Sequence, residues 1–157
     1  MLYDAVMKSI SILSIAIASS FMTASLSAHC QVPCGIYGDE LKFGEIEQHI
    51  ETIDKSAKLI RELSAKDQLS AQDHQQLIRW TINKEEHAQK IIDETANYFL
   101  AQRIKSDADH YAQKLELLHH MIVYSMKSKQ SAGKEPVEKL AKKVKEFKSI
   151  YMDHTHE

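Results

Sequence analysis

Chain breakers are scarce in this sequence: four glycines and two prolines in 157 residues. Alanine, leucine, isoleucine, lysine, glutamate and glutamine are abundant instead, and these are good helix formers. No strand pattern competes, so the composition predicts an all-α protein. An excess of charge is also missing, with 20 Lys and Arg against 22 Asp and Glu. That balance argues against a nucleic-acid partner, whose binders carry a strong basic excess. The length suits one domain with a real core and is too short for two comfortable ones. Internal repeats and low-complexity tracts are absent. Cysteine is nearly absent too, and both copies, Cys30 and Cys34, fall in one short segment.

The first 28 residues stand apart from the rest. Ser9 to Ala28 carry no charge and are rich in Ile, Ala and Ser. This pattern is that of a secretory leader ending at the small residue Ala28. It predicts removal of residues 1–28 by a leader protease and export to a periplasmic or extracellular space. The alternatives are a propeptide cut in the cytoplasm and an uncleaved anchor. The run is just long enough to span a bilayer, but its serines make it a poor anchor. No membrane association is expected once it is removed.

Between His29 and Gly44 lie both cysteines, Pro33 and three of the four glycines, so regular helix cannot run through this stretch. Beyond it the apolar residues follow a helical rhythm. Ile46, Ile50, Ile53, Ala57 and Ile60 form a first run; Leu77, Ile78, Ile82, Ala88, Ile91, Ile92, Tyr98 and Phe99 a second. Ile104, Ala108, Tyr111, Leu115, Leu118, Ile122 and Ser125 form a third; Val137, Leu140, Val144, Phe147 and Tyr151 a fourth. The breaks between runs, 64–70, 102–107 and 127–136, are short and polar, which favours antiparallel neighbours. The expected organisation is a leader over 1–28, a hook and connecting loop over 29–44, and an up-and-down antiparallel four-helix bundle over 45–157.

The chemistry concentrates in His29-Cys30-Gln31-Val32-Pro33-Cys34-Gly35-Ile36-Tyr37. Cleavage after Ala28 would give His29 a free amine, with an ordinary pKa of about 7.7–8.0. That amine, the amide nitrogen of Cys30 and the Cys30 thiolate follow one another along the chain. On one metal they close two fused five-membered rings in a plane. Cys34, brought back by the turn at Pro33, can fill the fourth corner. A planar set of two nitrogens and two sulfurs suits nickel(II) or copper(II) better than tetrahedral zinc. The His29 imidazole is then placed to act as an axial ligand. Thiolates and a deprotonated amide also favour the higher oxidation state, which makes a redox role available. Cys30 and Cys34 could equally form a disulfide, a copper-carrier site or a packing pair in a non-enzymatic exported helical bundle.

The motif H-C-x-x-P-C-G-x-Y after a cleavable leader, followed by a helical domain of this size, resembles the nickel-containing superoxide dismutases. The residues that carry the resemblance are His29, Cys30, Pro33, Cys34, Gly35 and Tyr37. It implies a right-handed four-helix bundle assembled as a homohexamer, and one nickel ion per subunit. The metal would be held by His29 through amine and imidazole, by Cys30 through amide and sulfur, and by Cys34 through sulfur. Tyr37 would line the approach of superoxide, the substrate disproportionated to oxygen and hydrogen peroxide by Ni(II)/Ni(III) cycling. Lys84-Glu85-Glu86-His87-Ala88 and Asn97-Tyr98-Phe99 resemble later family segments. They imply roles beside the hook for Tyr98 and for His87, which stands where some members have an arginine. Glu45 or Glu47 would orient the axial histidine. Trp80 is expected to pack, and His110, His119, His120, His154 and His156 to lie on the surface.

Overall fold

The computed structural model describes residues 39–153. Four α-helices account for most of them: α1 (Asp39–Ser64), α2 (Ala71–Asp93), α3 (Tyr111–Gln130) and α4 (Glu135–Met152). A π-helical segment, Glu94–Arg103, continues α2 without a break. Helices adjacent in sequence pack against each other, and α1 also packs on α4, which closes the helical bundle. There is no strand among the described residues.

Local sequence sets the helix ends. Ser70 caps α2 by accepting from the Asp73 amide, while the Asp73 carboxylate accepts from the Ser70 amide. This reciprocal arrangement satisfies donors that a helix start leaves open. Pro136 sits in the first turn of α4, where its missing N–H breaks no helical bond. His110, just before α3, takes φ 55°, the left-handed turn needed to redirect the chain after the π-helical segment. The first helix is already formed at Asp39, the first described residue, ahead of the expected boundary at Glu45. Gly44 lies inside α1, where a lone glycine weakens a helix without ending it.

The core follows the fourth run most closely: Val137, Leu140, Val144, Phe147 and Tyr151 are all buried. Phe43, Phe99, Phe147 and Tyr151 form an aromatic knot, with Phe43–Phe99 centroids 4.9 Å apart and Phe99–Phe147 centroids 5.2 Å apart. Tilted and edge-to-face contacts of this kind add to area burial. The second run needs a correction. Ile78 and Ile82 are 61% and 51% exposed. The stripe of α2 that faces inward is Lys84, Ala88 and Ile91, continued by Thr95, so Ile78 and Ile82 lie on the outer side. Trp80 is half-buried beneath the Lys55 ammonium.

Lys84 is buried because its charge finds partners. Its Nζ donates to the carbonyls of Ser128 and Lys129, 2.6 Å from each, at the C-terminal end of α3. Those carbonyls have no partner within the helix, and a cation there also meets the negative end of the helix dipole. Burial pushes the Lys84 ammonium below its ordinary pKa.

Candidate metal hook and its anchoring site

The proposed ligands His29, Cys30 and Cys34, together with Tyr37, lie outside the described residues. The described chain takes over two residues after Tyr37, at Asp39, and the point of handover is heavily built. Asp39 is buried at the first turn of α1. Its Oδ1 accepts from the Tyr98 hydroxyl, and its Oδ2 accepts from the Tyr151 hydroxyl and from Arg103 Nη2 at 2.7 Å. Three donors from two other elements therefore converge on one carboxylate. Burial pushes the Asp39 carboxyl up. The hydrogen bonds from Arg103, Tyr151 and Tyr98 outweigh that and hold it below the usual carboxylate range. Burial and the neighbouring carboxylate raise Tyr151 well above an ordinary phenol.

The π-helical segment helps make this convergence possible. Its backbone amides donate to the carbonyl of the fifth residue before them, as from the Ile104 amide to the Phe99 carbonyl at 3.1 Å. Residues five apart thus come closer to one face than in an α-helix, where they diverge. Tyr98 and Arg103 are five apart, and both reach Asp39. Sequence reasoning singled out Tyr98 but missed Asp39, Arg103 and Tyr151. The only sequence signal was an acidic residue two positions beyond Tyr37.

The remaining candidates separate onto different seams. Glu47 is half-exposed and pairs with Lys148 of α4 at 2.8 Å. Glu45 lies two residues earlier, one turn before His49, and pairs with Lys42 at 3.0 Å. Lys42 also bonds Glu94 at 3.0 Å, tying α1 to the start of the π-helical segment. His87 of α2 faces His49 of α1, Nδ1 to Nδ1 at 3.0 Å. Burial holds the pKa of both imidazoles below the ordinary histidine value, and His87 and Lys90 reinforce the shift at His49. His119 is exposed on the surface, whereas His120 is half-buried, with Glu116 one turn away at 3.9 Å. Among the described residues no helix is long and apolar enough to cross a membrane.

A family model described as nickel-containing superoxide dismutase matches residues 24–155. The match takes in both the thiol segment and all four helices, which makes the protein a helical metalloenzyme. The chain belongs to the nickel-containing superoxide dismutase family: it is an oxidoreductase acting on superoxide, and nickel is its metal. No curated protein and no solved structure matches it.

Proposed function

We infer that the mature chain begins at His29 and dismutates superoxide at a nickel ion held by His29, Cys30 and Cys34, one ion per subunit. The observation that carries this reading is the family match over residues 24–155, which includes the whole His29–Tyr37 motif. The donor set fits the metal: an amine, an amide nitrogen and two thiolates are donors that would hold nickel(II). Nickel, when bound, supplies the one-electron couple between Ni(II) and Ni(III) that disproportionation requires.

The chain's own residues account for the rest. Cys30 and Cys34 must be thiolates to bind, so their protons leave on metal loading. The His29 amine loses its proton near neutral pH for the same reason. Tyr37 would border the approach to the metal and exclude larger ligands. Asp39, gripped by Tyr98, Arg103 and Tyr151, fixes the root from which the hook departs. Export with the leader still attached would keep the His29 nitrogen an amide until cleavage, so metal would enter afterwards.

Self-association, which the resemblance implies to be hexameric, fits the outer face of α2. Ile78 and Ile82, one turn apart, are exposed beside a shallow groove lined by Gln76, Arg79, Trp80, Asn83 and Glu86. An apolar patch with a polar margin is characteristic of a surface covered by another chain. The test is to purify the mature protein and measure metal content, sedimentation and superoxide decay together. About one nickel per subunit and a mass several times the monomer are expected. A monomer, or a protein retaining tetrahedral zinc, would overturn the reading.

A further inference from the structure

We propose that the outer face of α2 pairs with the same face of a second copy of this chain, antiparallel, across a two-fold axis beside Ile82. The contact rests on the proposed self-association, and specifies which surfaces meet and in what orientation. Ile78 and Ile82 stand one turn apart on one exposed stripe of α2. The other exposed large apolar residues, Leu41, Leu100 and Met126, lie singly on three different helical segments. Isolated apolar residues are ordinary on a surface, whereas adjacent ones mark a contact.

The charges beside this stripe identify the occupant. Arg79 and Glu86 line the same groove as Ile82 and Trp80, and both are exposed. They are two helical turns apart, so they lie almost in line along α2. Neither makes an ion pair among the described residues. The exposed face of α4 behaves differently: Lys134 pairs with Glu138, Lys139 with Glu135 and Lys143 with Glu146. That face is satisfied within its own helix, whereas α2 presents one unpaired cation and one unpaired anion around an apolar centre.

Such a face is complementary to itself. In an antiparallel pair, positions equally far from the two-fold axis come opposite each other. The midpoint of Arg79 and Glu86 falls between Ile82 and Asn83. An axis there sets Arg79 of each copy against Glu86 of the other, with the two Ile82 side chains meeting between the ion pairs. Packed helices lie about 8–10 Å apart, which both long side chains can bridge. A parallel pair would set arginine against arginine and glutamate against glutamate, so the charges fix the direction. The contact closes after two copies, and three such pairs make the six that the resemblance implies.

The test is sedimentation equilibrium of the mature chain and two charge reversals. Arg79→Glu sets glutamate against Glu86 of the second copy, and Glu86→Arg sets arginine against Arg79. Each variant alone should associate about tenfold or more weakly than the unaltered chain and sediment at a lower mass. Mixed in equal amounts, the two should assemble again, because each then meets its opposite charge. The double variant, Arg79→Glu with Glu86→Arg, should assemble by itself for the same reason. Single variants that keep the full mass, or a mixture that stays apart, would overturn the proposal. In that case an assembled unaltered chain would still support self-association through another face. An unaltered chain that is monomeric would overturn both.

Discussion

Tyr98 donates its hydroxyl hydrogen to Asp39, joining a residue of the π-helical segment to the first residue of α1 across 59 positions of sequence. Asp39 is where the described bundle meets the segment that carries the thiols. The bond therefore ties the bundle together next to the segment proposed to hold the metal. Arg103 and Tyr151 complete the grip: Tyr151 belongs to the aromatic knot, and Arg103 Nε also donates to the Tyr151 hydroxyl at 3.3 Å.

The buried carboxylate should dominate the acid stability of the bundle. Its pKa is depressed on folding, so it contributes stability above its ordinary value of 3.8 and loses it as the pH falls through the lower folded value. Asp39→Ala should cost about 3 kcal/mol at neutral pH, because Arg103 is left facing two hydroxyls without its counter-charge. Asp39→Asn should flatten the acid limb below pH 3.8, since nothing there remains to be protonated. Chemical denaturation at a series of pH values measures both. An unchanged acid limb in Asp39→Asn would show that the carboxylate is not the titrating group.

Tyr98→Phe removes one donor to a charged acceptor and should cost about 1.5–3 kcal/mol. A double-mutant cycle with Asp39→Asn should show coupling, because the two changes remove the same bond. Additive effects would mean that Tyr98 contributes only its ring.

Lys84→Met keeps the length of the side chain but strips its donors from the Ser128 and Lys129 carbonyls. Those carbonyls would then face a thioether, and the loss should be about 1–3 kcal/mol. Hydrogen exchange should rise first in the last turn of α3. Exchange unchanged there would show that the helix end is satisfied without the lysine.

How far the sequence discloses the molecule depends on how local each feature is. The fourth helix was fully legible, because Val137 to Tyr151 is one apolar stripe with polar residues elsewhere. On α2 two apolar stripes lie side by side, and periodicity alone cannot say which faces inward. The inner one includes a lysine, Lys84, whose burial depends on carbonyls more than 40 positions away. The hook motif is legible for the opposite reason: its donors are consecutive atoms along the chain. Asp39, Tyr98, Arg103 and Tyr151 come together only through folding, with up to 112 positions between partners. The π-helical segment that presents two of them leaves no distinct mark in composition.

Ligands and neighbours of the metal should separate cleanly on substitution. Cys30→Ser or Cys34→Ser removes a thiolate that makes the higher oxidation state reachable, and superoxide dismutation should vanish. Tyr37→Phe should keep nickel and much of the activity, because tyrosine acts outside the coordination set. Full activity in Cys34→Ser would show that the sulfur is not a ligand.

The most direct measurement compares two purified proteins, one beginning at His29 and one at Ala28, each exposed to nickel. In the longer protein the His29 nitrogen is a peptide amide, and the free amine lies one residue outside the first chelate ring. The helices of the bundle are untouched, so both should give the same helical circular dichroism and the same unfolding midpoint. The protein starting at His29 should bind about one nickel per subunit and accelerate the decay of pulse-generated superoxide. The protein starting at Ala28 should bind nickel poorly or as a different complex, with little or no such acceleration. Equal decay rates would contradict the account, because they would show that the amine at the N-terminus is not part of the active site.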